Sequence, residues 1–407
     1  MGFRYTRECY WVGSSSLATF TRGNMKNQNA QKSRIAYLDG LRAVAILAVI
    51  AVHWVGSQLP LGLGGYIGVD IFFVLSGYII TTAMWRSRSD ASIGSQYGTF
   101  IKRRVFRLYP ALLGMIIGSL LLFGLFPGSP FSLSELFGPA IVALTQGYSI
   151  YAAAELGPST PFMLTWSLSI EWMFYLLWPL AVYWAKLRRV TGRRLAAIAG
   201  TVAVALYVPA LFLSTHGFYY GPMARVSEIL AGAILALLLS PPRRVHEEKP
   251  HSNALLQVLA FVGIAALSAF VVFGPVQWSP VFRFAALPLT VAVTLYLIWL
   301  GFRAPGSVAI RLLSWAPLTF IGRVSYSLYL WHMVGQNLFT RENITLPLPA
   351  VALIGVLVCI VPTALSYRYL ELPYMRARKG RAASSALEPP SGIPVPAHQA
   401  ARNSDVD

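Results

Sequence analysis

Long apolar runs broken by short basic clusters organise the chain. Runs near 35–54, 66–85, 105–126, 162–185, 195–214, 223–240, 254–273, 282–301, 317–339 and 348–370 each approach the ~20 residues a helix needs to cross a ~30 Å hydrocarbon core. Basic segments at 86–107, 186–194, 241–253 and 302–312 alternate with nearly uncharged connections at 215–222 and 274–281, and an excess of Lys and Arg marks the cytoplasmic side. The pattern predicts about ten transmembrane helices with both termini cytoplasmic. A further apolar segment, 134–152, would place the basic loop KLRRVTGRR outside if it crossed, so it is predicted to be re-entrant or interfacial. Its Gly138, Pro139 and Gln146 suit a backbone packed against protein rather than lipid.

Composition agrees with an all-α polytopic membrane protein of the plasma or inner membrane. Only 12% of residues are charged, and mean hydropathy is +0.58, against about 25% charged in an ordinary soluble domain. The net charge of +18 would suit nucleic acid in another setting, but here the basic residues fall where topology signals belong, so no nucleic-acid partner is expected. Two cysteines, Cys9 and Cys359, make no disulfide framework, and no Cys/His spacing suggests a metal. Residues 1–33 read as a basic cytoplasmic arm without a secretory apolar core, in which Met25 is a second possible start. Residues 34–375 form the membrane domain, and 376–407, rich in Pro, Ala and Ser, read as a disordered cytoplasmic tail.

Ionisable residues inside spans cost at least about 2.5–3.5 kcal/mol each on insertion scales, which makes them candidate functional groups. The first span, IAYLDGLRAVAILAVIAVHW, carries Arg42 and His53 with about 16 Å of helical rise between them. Arg42 also suits snorkelling to the headgroups, and His53 an interfacial position. By predicted depth, His53, Asp70, Glu228 and His332 lie in the outer half, Glu171 near the middle, and Arg42, Arg103, Arg104, Arg107 and Arg323 toward the cytoplasm. A histidine whose tautomer a carboxylate fixes is a general base, although sequence does not pair histidines with carboxylates. Arg103, Arg104 and Arg107, read at the N-terminus of a helix with Pro110 in its first turns, suit either phosphate binding or plain stop-transfer charge. Arg225 and Glu228, at i and i+3, are expected to pair and brace the bundle.

From about residue 35 to 375 the chain resembles the integral membrane acyltransferase 3 family. The resemblance rests on ordered motifs: LDGLRAVAILAVIAVHW, GGYIGVDIFFVLSGYII, FIKRRVFRLYP, LTWSLSIEWMFYLLWP, RVSEILAGAILA, IGRVSYSLYLWH and YRYLELPYMR. It implies transfer of an acyl group, commonly acetyl, from cytoplasmic acyl-coenzyme A to a hydroxyl of a surface glycan or glycolipid, or of a small metabolite such as a macrolide. It implies His53 as catalytic base with Arg42 as motif partner, Asp70, Glu171 and His332 at further motif positions, and Arg103, Arg104 and Arg107 for the coenzyme A phosphates. Both direct attack by the acceptor and an acyl-enzyme relay satisfy these residues, and direct attack needs no activated thiol. Two features depart from the family. Trp172 follows Glu171 where many members carry a second acidic residue, and about thirty polar residues follow Pro373 where some members continue into an esterase-like domain, so the chain is expected to act alone or with a separate extracytoplasmic partner. A secondary transporter would favour internal repeats, which the halves do not show. A hydrolase would need Ser76 or Ser325 as nucleophile, where helix packing or backbone bonding is the simpler account.

Overall fold

The computed structural model describes residues 36–55, 63–87, 91–125, 129–157, 160–239, 254–339 and 348–374. The basic arm and the tail lie outside them. Among the described residues there is no strand, and seven helices are long and apolar enough to cross a membrane. In chain order these are α1 (Ala36–Trp54), α2 (Leu63–Arg86), α3 (Ile93–Leu125), α7 (Gly192–Ala210), α8 and α9 together (Thr215–Leu238), α10 (Ala254–Phe273) and α11 with its leading turn (Phe282–Arg303). Three more helices have comparable length: α6 (Thr165–Leu187), α13 (Ala316–Phe339) and α14 (Leu348–Ser366).

The segment at 134–152 folds as two short helices, α4 (Leu133–Leu144) and α5 (Tyr148–Ala153). Twelve residues rise only about 18 Å, too little for a crossing. Ser132 and Glu135 cap α4 reciprocally, and the chain turns at Gln146, which adopts a φ of 59°. A short helix, α12 (Val308–Leu313), joins α11 to α13.

α2 sits at the centre, with 72% of its most apolar stretch buried against 17% for α10. Its most extensive partner is α9, and two glycines allow the approach. A Cβ on Gly77 would lie 1.8 Å from the Ile229 carbonyl oxygen, and one on Gly232 would lie 2.0 Å from that of Val74. Small residues of this kind let helix backbones pack directly where lipid supplies no hydrophobic drive for association. The outward surface is apolar, with Phe212, Leu125 and Phe273 fully presented, as a lipid-facing surface requires.

The sequence reading started α3 near residue 105; the structure starts it at Ile93. Ser92 caps the new start, its Oγ accepting from the Ser95 N–H at 3.3 Å. The arginine cluster therefore lies inside a helix, where the backbone donors are already used, and Pro110 lies mid-helix instead of in the first turns. Hydropathy alone hid this, because the added turns are polar.

Candidate functional site

The helices bring the flagged residues together in three groups. The first is a cavity of about 90 Å³ between α1, α2, α3, α6 and α13, lined by Arg42, Arg104, Arg107, Glu171, Ser76 and Ser325 among others. Arg42 donates through Nε to Ser325 Oγ at 3.3 Å. Glu171 accepts at one oxygen from Ser76 Oγ and at the other from the Tyr175 hydroxyl at 2.8 Å. The Arg104 guanidinium lies 5.2 Å from the ring centres of both Phe100 and Tyr175. Both serines hydrogen-bond to charged side chains, where the sequence had suggested helix packing or backbone bonding. Ser76 holds the carboxylate and Ser325 the guanidinium, from positions 95 and 283 residues away in the chain.

Arg104 and Arg107 also line a second, wider basin of about 460 Å³ together with Arg103, Ser95, Gln96 and Tyr374. The Tyr374 hydroxyl donates to the Arg103 carbonyl at 3.0 Å and ties the end of the membrane domain to this wall. The basin and the narrow cavity thus share two arginines, and a polyanion bound in the first would extend toward Arg42 and Glu171 in the second. Without helix-terminal backbone donors, any phosphate here is held by the guanidinium forks.

At the opposite end of α1 lies the second group. His53 sits in a π-helical turn, Ala51–Val55, that ends the helix and re-aims the imidazole. Its ring centre is 5.1 Å from that of His332 on α13 and 5.8 Å from that of Tyr66. His53 Nδ1 is 2.7 Å from the Val49 carbonyl, and His332 Nδ1 is 2.6 Å from the Tyr329 carbonyl. A carbonyl accepts only, so each Nδ1 carries a proton, and in the neutral ring each Nε2 presents a lone pair. The sequence reading looked for a carboxylate in this role. Among the described residues a main-chain carbonyl fills it for both histidines. The narrow cavity ends on Tyr329, whose ring lies 5.3 Å from His332 and whose hydroxyl is held by Ser167 at 2.8 Å and the Leu164 carbonyl at 3.0 Å.

Asp70 belongs to neither group. It is fully buried, and its Oδ1 accepts from Arg225 Nη1 at 2.7 Å, while the same nitrogen donates to Glu228 Oε1 at 2.8 Å. Arg225 Nε donates to the Tyr219 carbonyl at 2.8 Å. The expected Arg225–Glu228 pair is therefore present and has captured Asp70 as a third member. Sequence reasoning also passed over Glu371, buried in a π-helical turn after α14 and hydrogen-bonded to Ser327, with Arg107 and Arg42 in electrostatic reach. Its signal was a lone acidic residue closing an apolar run. Among the described residues no cluster of three His, Cys, Asp or Glu side chains is placed to hold a metal ion.

The arginine-lined cavities and the paired imidazoles thus lie at opposite ends of α1, and comparison with known proteins gives the chain a class. The family model described as "Acyltransferase domain" matches residues 35–367, and the chain belongs to that family. The peptidoglycan O-acetyltransferase OatA of Listeria monocytogenes is 33% identical over 354 residues, covering 83% of this chain and 55% of the relative. The O-acetyltransferase OatA of Staphylococcus aureus is 30% identical over 360 residues, covering 83% of this chain and 56% of the relative. The chain thus spans about half the length of the curated relatives it matches. No solved structure matches it.

Proposed function

We propose that this membrane acyltransferase moves an acyl group, most simply acetyl, from cytoplasmic acyl-coenzyme A to a hydroxyl of a cell-surface glycan or glycolipid. The observation that carries the reading is the division of α1: an arginine-lined basin and cavity at one end, and a histidine with an open Nε2 at the other. In this reading ten helices cross the plasma membrane with the arginine end inside, supported by the ten long helices and by the alternation of basic and uncharged loops.

The donor's phosphates rest against Arg103, Arg104 and Arg107, and its pantetheine arm runs past Arg42 and Glu171 toward the histidines. His53 Nε2 takes the proton of the acceptor hydroxyl as its oxygen attacks the thioester carbonyl. The C–O bond forms, the C–S bond breaks, and the proton passes from the imidazole to the departing sulfur, giving the ester and coenzyme A with no net proton change. His332, edge-on to His53, keeps its own Nε2 open as an acceptor for a neighbouring hydroxyl of the bound acceptor. Asp70 acts through Arg225, holding α2 to α9 beneath this end of the site.

Sealed inside-out vesicles carrying wild type or His53→Ala, supplied with labelled acetyl-coenzyme A, test the reading. Alkali-labile label in a membrane glycan or lipid fraction with wild type, and a loss of about 10²–10⁴-fold in His53→Ala with coenzyme A affinity kept, is the expected result. Equal loss of donor affinity in His53→Ala would overturn the division of labour, and label on a soluble acceptor alone would replace the glycan by a small metabolite.

A further inference from the structure

The histidine end carries more polar and aromatic equipment than proton transfer needs. Buried polar atoms without a hydrogen-bond partner there include His332 Nε2, Gln336 Oε1 and Gln277 Oε1, beside the second atoms of the Asp70–Arg225–Glu228 cluster. Gln336 lies one turn beyond His332 on the same face of α13, and Gln277, only 7% exposed, contacts the Tyr66 hydroxyl beside His53. An unmet buried acceptor costs roughly 1–3 kcal/mol, so the open imidazole nitrogen and the two glutamine oxygens point to a ligand that supplies hydroxyl or amide donors.

Next to Gln277, the Trp278 ring is 39% exposed and lies 5.6 Å from Tyr219 and 4.8 Å from His216. Tyr219 in turn meets Tyr66, which meets His53, so aromatic rings run without a break from the surface to the base. His216 is held by Glu155 at 3.0 Å, which adds a carboxylate to the rim. An interfacial aromatic belt would explain exposed rings, yet not the orphaned amides behind them. The arginine charges at this end are already met: Arg225, whose buried Nη2 has no partner, binds Asp70 and Glu228 through Nη1 and the Tyr219 carbonyl through Nε, and Arg283 binds the carbonyls of Leu211 and Leu213.

Resting on the acyl-transfer reading, we infer that Trp278, Gln277 and Gln336 form the acceptor subsite and that it takes an uncharged pyranose ring, stacked on Trp278 with its hydroxyl and amide donors turned to the two glutamines. Wild type, Trp278→Ala, Trp278→Phe and Gln277→Ala in lipid nanodiscs, free of sugar detergents, are titrated calorimetrically with N,N′-diacetylchitobiose and separately with coenzyme A. The expected result is binding about tenfold weaker in Trp278→Ala, largely restored in Trp278→Phe, and about three- to tenfold weaker in Gln277→Ala, with coenzyme A binding unchanged throughout. No disaccharide binding by wild type, equal affinity in the alanine variants, or tighter binding of the anionic digalacturonate would overturn the subsite. Chitobiose binding weakened as expected, with no transfer of label from acetyl-coenzyme A to any membrane glycan, would keep the subsite and end the transfer reading.

Discussion

Two arginines, Arg42 and Arg225, each sit inside the bundle near carboxylates, and they do opposite things. Arg225 is fully buried against Asp70 and Glu228, with a third bond to a backbone carbonyl, and aromatic rings close over it. Arg42 is half-buried, donates to a neutral serine and borders a cavity shared with Arg104, Arg107 and Glu171. Charge that is already neutralised holds helices together, whereas charge left facing a cavity is available to a ligand. Sequence flags both as costly intramembrane cations, and only the i, i+3 spacing of Arg225 and Glu228 hinted at the difference.

The same substitution at the two positions breaks the comparison most sharply. Arg225→Met leaves two carboxylates buried without their cation and should destabilise the fold by about 3–5 kcal/mol, read as a fall in melting temperature in nanodiscs. Adding Asp70→Asn and Glu228→Gln should return much of that loss, because the buried charges vanish together; a triple variant no more stable than the single one contradicts the account. Arg42→Met should leave melting close to wild type while lowering acyl transfer about 10- to 100-fold, as loss of a charged hydrogen-bond donor implies. A collapse in stability there would make Arg42 a second brace.

Smaller effects sharpen the picture. Arg104→Ala should raise KM for acyl-coenzyme A about tenfold with kcat little changed, and the salt sensitivity of KM should fall with it. Ser325→Ala should do less, raising the same KM about two- to fivefold, since it removes only the neutral bond that orients Arg42.

The class of the fold was legible because apolar runs of spanning length have few other uses, and the candidate residues were legible because charge inside such runs is expensive. Their grouping was not. Asp70 joins Arg225 across 155 residues, and Glu171 joins Ser76 across 95, contacts that no periodicity encodes. The start of α3 was missed because a helix that continues past the hydrocarbon turns polar while its backbone stays regular. The histidine tautomers were unreadable for a different reason: a main-chain carbonyl four or three residues back leaves no trace in side-chain identity.

Tyr329 has a consequence outside the reaction. Held by Ser167 and the Leu164 carbonyl, it stands between the arginine-lined cavity and the paired imidazoles, with Phe72 edge-on beside it. With its hydroxyl held from two sides, the ring cannot swing away from this wall without giving up both bonds, so the arginine-lined cavity and the imidazoles keep separate surroundings.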